Sequence, residues 1–323
     1  TSGTPGSNTA IGGNSLRTSS GDWNVAIGDQ TGYTVTSGDY NVFVGAKSGY
    51  DLTTASNSTL IGYETGENIT SGEGNTLIGF RSGQNITTSV KNVAIGKNSL
   101  NGVVSGYGNN ISIGDRSMFS CGSNVNNLIA IGYEALKSHQ GSTNSIAIGT
   151  DALETSTTGR NIGIGRDAGV NVSDGSQNTI LGYRAGDILT SGDNNIIIGD
   201  DADPSSATTD NEITLGNTSI TRFRIPGLGL DFNGNNLDLG DSKKIRLGTG
   251  NDLEIYHSGS HSIILENGTG NLQIAASTIQ LTNSAINENM IVATADAGVE
   301  MYFNNVKKFE STVRGVEISG NAT

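Results

Sequence analysis

The chain has 323 residues, of which 47 are Gly and only 3 Pro, with 34% hydrophobic residues, 5% aromatic residues and a formal net charge of −13. Such a composition argues against the Leu- and Phe-filled core of an ordinary globule of this length. An acidic chain without a basic run also lacks the clustered Lys and Arg that nucleic acid or an anionic membrane surface requires.

The acidity is uneven. Residues 1–216 hold 10 Lys/Arg against 20 Asp/Glu, and residues 217–323 hold 8 against 11. Cys121 is the only Cys, so no disulfide forms within the chain. No apolar run reaches the length of a membrane-spanning helix. No signal peptide stands at Thr1, and the opening "TSGTPGSNTAIG" reads as mid-repeat, which predicts a piece of a longer protein.

From the first residues the dominant signal is a repeat. An aliphatic residue followed by Gly recurs at Gly12, Gly28, Gly45, Gly62, Gly79, Gly96, Gly114, Gly132, Gly149, Gly165, Gly182, Gly199 and Gly216, in steps of 16 to 18 residues. Positions are counted below from this Gly. Position −1 is always aliphatic, as in Ile11, Val44 and Leu181, and position −3 is always β-branched, as in Val25, Val93 and Ile196. Residues two apart share one face of a strand, and β-branched side chains suit that pleated surface. The spacing of three and four that a helix needs is missing.

Position −4 is Asn in nine of the thirteen copies, including Asn24, Asn41, Asn75 and Asn92. Asn is expected to turn a corner there and to bond its equivalents along the stack as an amide ladder. Position +3 is small, from Ser15 to Ala202. Position +4 alternates between Gly, as in Gly32 and Gly83, and a larger apolar residue, as in Leu16 and Met118. Position +7 is a second apolar column, with Val35, Leu52, Ile69, Ile86, Val103, Val172 and Leu189. A "TSG" turn often follows, as at Thr36–Gly38.

One copy is thus a strand, a tight bend, a short extended segment and a turn. It cannot bury its aliphatic face alone, and stacking is expected to supply a continuous column. The predicted fold is all-β: a parallel β-roll or β-solenoid of about thirteen 17-residue repeats over 1–216. At one rung per repeat its length is about 58 Å.

A transition over 217–240 contains Pro226, and a β-rich module occupies 241–323. The predicted strands of these two regions include Leu237–Leu239, Ile245–Leu247, Leu253–Tyr256, Ser262–Leu265, Leu272–Ile274 and Ile279–Leu281, separated by turns such as "GTGND", "HSGSH" and "NGTGN". Three exchanged chains around one axis would protect the exposed edges, which predicts a homotrimeric, prism-like module.

The motifs "NTAIG", "NVAIGDQTGYTVTSGDYN" and "NTLIGFRSGQNITTS" resemble repeats of phage tail fibres, especially those of marine cyanophages. They also resemble the head repeats of trimeric autotransporter adhesins of the YadA type, where an A-I-G strand lies in a left-handed parallel β-roll with three chains around one axis. The adhesin repeat is nearer fourteen residues, and the period here departs from it. In the C-terminal third, "LGTGNDLEIYHSGSHSIILENGTGNLQI" and "VEMYFNNVKKFESTVRGVEISG" resemble segments of cyanophage tail fibres that precede an endosialidase-type chaperone. Such a chaperone helps trimers form and then cleaves itself off. It is absent from this sequence, so the resemblance places its release near Asn321-Ala322-Thr323.

The resemblance implies a structural and adhesive fibre on the virion tail. Its partners are a homotrimer of this chain, other fibre or baseplate proteins, and a glycan or protein receptor on the host surface. No membrane insertion is implied. The alternatives are the head of an adhesin on a bacterial surface and a polysaccharide-cleaving tailspike enzyme.

No catalytic, cofactor or metal residue is assigned. His139 and Cys121 both fall at +7 and read as core. His257 and His261 flank "SGS", which reads as a turn rather than a metal site. Asp200, Asp201 and Asp203 beside Pro204 are the best candidates for paired hydrolytic carboxylates, yet they read as a solvated loop or end cap. The surrounding "DDADPSSATTDNE" lacks EF-hand spacing for calcium. Trp23, Tyr33, Tyr50, Tyr63, Tyr133 and Tyr183 are candidates for stacking on sugars; Tyr63, Tyr133 and Tyr183 share position +1 and equally suit a structural ladder.

Overall fold

A computed structural model describes residues 6–102, 105, 108–140, 144–223 and 239–320. The chain divides into two compact units, Thr1–Ile225 and Pro226–Thr323.

The first unit is a parallel β-solenoid. Thirteen three-residue strands, from β1 (Thr9–Ile11) to β13 (Ile213–Leu215), form one sheet in chain order. Equivalent positions of successive repeats pair, as in Ile11↔Ile27 and Ile162↔Thr179. The steps of 16 and 18 residues keep this register, so their length differences are absorbed outside the strands. The repeat Gly ends each strand at φ values such as +142° at Gly28 and +133° at Gly165. A Cβ there would run into the carbonyl of the Gly one coil on, so both the conformation and the close approach require Gly.

The middle residue of each strand, at −2, points inward: Ala26, Phe43, Leu60, Leu77, Ala94 and Ile180 are fully buried. The residues at −3 and −1 therefore point outward. Ile27 is 39% exposed, Leu181 44% and Ile198 36%. Stacking does make the aliphatic columns continuous, but it leaves them on the outside of the coil. The pleat sets this side: a three-residue strand turns one side chain in and two out.

The inner volume is filled in two complementary ways. Where +4 is Gly, the −2 or +7 side chain occupies its space. A Cβ on Gly83 would meet Leu77 Cδ1 at 2.6 Å and Ile86 Cδ1 at 2.9 Å. Where +4 is large (Leu100, Met118, Leu136, Leu153), −2 shrinks to Ala94, Ser112, Ala130 and Ala147. Position +7 then holds Cys121, His139 or Ser156, all buried. Neighbouring coils share the load: a Cβ on Gly169 would meet Ile180 Cδ1 at 2.8 Å and Leu153 Cδ2 at 2.9 Å. Position +4 is left-handed in both patterns, for example +58° at Gly83 and +50° at Leu100. The +7 residue Val103 lies outside the described residues.

The Asn column is an amide ladder. Asn41 donates its backbone N–H to Asn24 Oδ1 at 2.9 Å and its Nδ2 to the same oxygen at 3.0 Å. Its Nδ2 also donates to the Ala55 carbonyl, in the turn of the next coil, at 2.9 Å. The pattern recurs at Asn92, Asn110, Asn178 and Asn195, and these side chains are fully buried. Ser58 interrupts the ladder: its N–H donates to Asn41 Oδ1 at 2.9 Å, and its hydroxyl oxygen alone accepts the Asn75 N–H, at 3.3 Å.

The second unit holds two antiparallel meanders. The first is β14 (Lys244–Leu247), β15 (Leu253–His257) and β16 (Ser262–Glu266). The second is β17 (Thr278–Thr282), β18 (Asn289–Thr294), β19 (Gly298–Phe303), β20 (Val306–Thr312) and β21 (Gly315–Ile318). Leu272–Ile274, expected as a strand, has no ladder partner and is irregular. Pro226 and the strand residues Leu237 and Asp238 lie outside the described residues, as do Asn321-Ala322-Thr323.

Each meander sorts its side chains by face. The pairings Leu281↔Ile291↔Met301↔Phe309↔Ile318 run across all five strands on one side. The pairings Val292↔Glu300↔Glu310↔Glu317 run on the other. Ile245↔Ile255↔Ile264 makes the apolar row of the smaller sheet. Leu281, Met301 and Ile264 are among the exposed apolar side chains.

Candidate functional site

The residues singled out for chemistry are dispersed along the coils. His139 is fully buried and its Nδ1 lies 3.0 Å from the Ser156 carbonyl, one coil on. Cys121 is buried one coil back, and burial pushes its thiol up to about 12. A thiol held protonated is a poor nucleophile, so both residues act as core at +7.

Asp201 pairs with Arg184 at 3.3 Å, and Arg184 also bonds Asp187 at 2.7 Å. Burial raises the Asp203 carboxyl, with further contributions from the charges of Asp187 and Asp201. Its Oδ1 has no hydrogen-bond partner. Asp200 contributes its carbonyl, which accepts the Asn217 amide at 2.8 Å. Pro204 is buried beside them. Asp187, Asp201 and Asp203 thus gather around Arg184 at the last coils of the solenoid.

His257 Nδ1 lies 2.9 Å from Asp241 Oδ1, while the His261 N–H donates to Ser258 Oγ within the predicted turn. The two His residues do not converge on a third ligand. Among the described residues, one group of acids is close enough to share an ion: Glu134, Asp151 and Glu154. Lys137 already sits among them, 2.6 Å from Glu134 Oε2 and 2.9 Å from Glu154 Oε1. Burial raises the Glu134 carboxyl, but bonds from Lys137 and Tyr133 outweigh it and hold the carboxyl below its ordinary range. The Lys137 ammonium and the Arg116 guanidinium, 2.6 Å from Glu134 Oε1, supply the positive charge of this cluster.

The aromatic residues form short stacks. Tyr33 and Tyr50 stack with ring centres 5.0 Å apart and planes within 3°. Tyr63 stacks on Phe80 at 5.6 Å. Phe80 follows Gly79 at +1 and belongs to the column read from Tyr63, Tyr133 and Tyr183; its offset alone identifies it. Arg17, Arg81, Arg116 and Arg166 lie over Tyr33, Phe80, Tyr133 and Tyr183 at 5.0 to 5.8 Å. These cation–π contacts run along the solenoid and cover ring faces. Trp23 and Tyr40 stand apart at −5 and join neither stack.

The largest chemical feature of the solenoid is its outward aliphatic strip. Thirteen strands at about 4.8 Å and three residues at about 3.3 Å give a face on the order of 600 Å². That is at the top of the range of apolar patches exposed by soluble monomers. No helix is long and apolar enough to cross a membrane among the described residues. Comparison with protein-family models, curated proteins and solved structures gives no match.

Proposed function

We propose that this chain is the rod of a homotrimeric attachment fibre, of the kind found on phage tails, which carries its virion to a glycan or protein on the host surface. One observation carries the reading: the −1 column, aliphatic in every copy, and the β-branched −3 column, Thr in four copies, face outward along the thirteen strands. Copies of the same chain are the fitting occupant, because a face that repeats every coil is matched by another face with the same repeat. The exposed apolar rows of both meanders support the same partner. A closed arrangement of three would cover the strips and leave the charged and aromatic columns on the outside.

The decisive experiment combines light scattering on the purified chain with binding of the labelled chain to marine cyanobacterial cells. A trimeric mass and saturable attachment are expected. A stable monomer at micromolar concentration, or a trimer that attaches to no cell tested, would reject the reading. Incubation with host polysaccharide tests the enzymatic alternative: release of reducing ends would replace attachment with cleavage.

A further inference from the structure

Position −5 turns the corner ahead of each strand, and it is left-handed in twelve successive coils, from Trp23 at +61° to Asn211 at +58°. Asn is its commonest occupant, as at Asn57, Asn109 and Asn194, because the short amide tolerates this conformation. Gly74, Lys91, Arg160 and Gln177 also occupy it, and Trp23 and Tyr40 are its two aromatic residues, in adjacent coils, at +61° and +57°. A bulky aromatic at positive φ is strained, and strain kept at neighbouring equivalent positions points to a use.

Among the described aromatic residues of the coils from Gly12 to Gly216, the two rings are the most open, 56% exposed at Trp23 and 59% at Tyr40. The Tyr40 N–H donates to the Asp22 carbonyl at 3.1 Å, which sets the two residues one rung apart. The carboxylates of Asp22 and Asp39 flank them in sequence, and Asp39 Oδ1 accepts the Asp22 N–H at 2.7 Å. Ser56 and Asn57 continue the same corner in the next coil.

We propose that Trp23 and Tyr40 form a glycan-binding platform for neutral pyranose units running along the rod, with Asp22 and Asp39 accepting sugar hydroxyl bonds. An open ring offers its negative face to the C–H edge of a sugar, and carboxylates are acceptors for hydroxyls. The acidic surroundings exclude uronic and sialic acids by repulsion. This assignment rests on the attachment reading and names the receptor class for it.

The test uses cellohexaose and mannohexaose, with hexagalacturonate as the acidic comparison, titrated into the full chain. The chain has a single Trp, so its emission reports this patch alone. A saturable emission shift with at least one neutral hexasaccharide and none with the acidic one is expected. Tyr40→Asn should weaken binding about tenfold, the loss of one aromatic contact. Trp23→Asn, followed by calorimetry, should abolish it. Both variants carry the residue the column prefers, so they should melt no lower than the parent chain.

The proposal is overturned if neither neutral hexasaccharide moves the emission, or if both Asn variants bind like the parent. It is equally overturned if acrylamide cannot quench Trp23 in the assembled protein, because the ring then lies between copies. Light scattering and cell attachment on the same samples separate the two claims. An oligomer that attaches while Trp23 stays silent rejects the platform alone, whereas a monomer that attaches to nothing rejects the attachment reading.

Discussion

Replacing Asn92 with Ala removes one link of the amide ladder at a place where every partner is known. Asn92 Oδ1 accepts both the Asn110 N–H at 3.1 Å and Asn110 Nδ2 at 3.0 Å. Its Nδ2 donates to Asn75 Oδ1 at 2.9 Å and to Ser89 Oγ at 3.0 Å. In Asn92→Ala the Asn110 side chain keeps the Val125 carbonyl at 3.3 Å, but the buried Asn110 backbone N–H loses its acceptor. An orphaned buried donor costs about 1–3 kcal/mol and each lost net bond about 0.5–1.5 kcal/mol. The orphaned donor and one net side-chain bond together come to ~1.5–4.5 kcal/mol, large against the stability of a typical domain. Asn92→Ser is the internal control, since Ser58 shows that a hydroxyl at this position still accepts the next backbone N–H. It should cost about 1 kcal/mol, the loss of the side-chain link alone. Urea denaturation followed by circular dichroism measures both, and hydrogen exchange at Asn110 locates the damage. The reasoning is refuted if Asn92→Ala lies within about 0.5 kcal/mol of the parent, the range of neutral surface changes, or if the Ala and Ser variants are equal.

Ile95→Asp and Ile148→Asp place carboxylates in the outward strip; a monomer would tolerate each within about 0.5 kcal/mol, whereas the proposed assembly should dissociate, as read by light scattering. Gly83→Ala puts a Cβ 2.6 Å from Leu77 Cδ1 in left-handed backbone and should cost about 1–3 kcal/mol in denaturant midpoint analysis. Cys121, buried and pushed up to about 12, should react with a thiol reagent only as fast as the solenoid opens, so rapid labelling of the folded chain would contradict its placement. At Glu64 burial raises the carboxyl, but bonds from Tyr63 and Arg81 and the Lys47 charge hold it below 4.5. A folded value below the unfolded one gives stability that is present above pH 4.5 and lost as pH falls through the folded value. Glu64→Gln should therefore flatten the acid limb of melting temperature against pH below 4.5.

Much of the solenoid was legible because each repeated position has one dominant physical demand. The Gly column, the Asn ladder and the small residues at +3 all follow from residue type and offset. What could not be read from period alone was which strand face is inner. Alternation sorts −3 and −1 from −2, but it does not say which set meets the core, and the more aliphatic set suggested itself. The overlooked signal was the exchange of volume between −2 and +4: Leu77 goes with Gly83, and Ala130 with Leu136. That exchange shows −2 and +4 sharing one space, and it also gives Cys121 and His139 their places. The acid cluster around Arg184 was placed at the end of the rod by its sequence position, but its pairing depends on contacts between coils. Trp23 and Tyr40 escaped notice as a pair because nothing in their residue type announces left-handed backbone. Leu272–Ile274 alternates like a strand, yet it joins no ladder among the described residues.

The orientation of the strands also bears on why this chain should assemble. Its coil closes on few inward positions, and several hold Ala, Ser or Gly, such as Ala147, Ser112 and Gly163. A further aliphatic share, one residue at −1 of every strand and one at −3 of nine strands, stays outside. Covering a strip on the order of 600 Å² at about 25 cal/mol per Å² gives roughly 15 kcal/mol of gross stabilisation per chain. Association costs about 4–15 kcal/mol in lost freedom, so the strip alone offsets most or all of that cost. The two C-terminal meanders, each a single layer with one apolar face, add to the same side of the balance. In the proposed assembly the outward columns become part of a shared core, and mutations in the −1 column should then behave as core mutations.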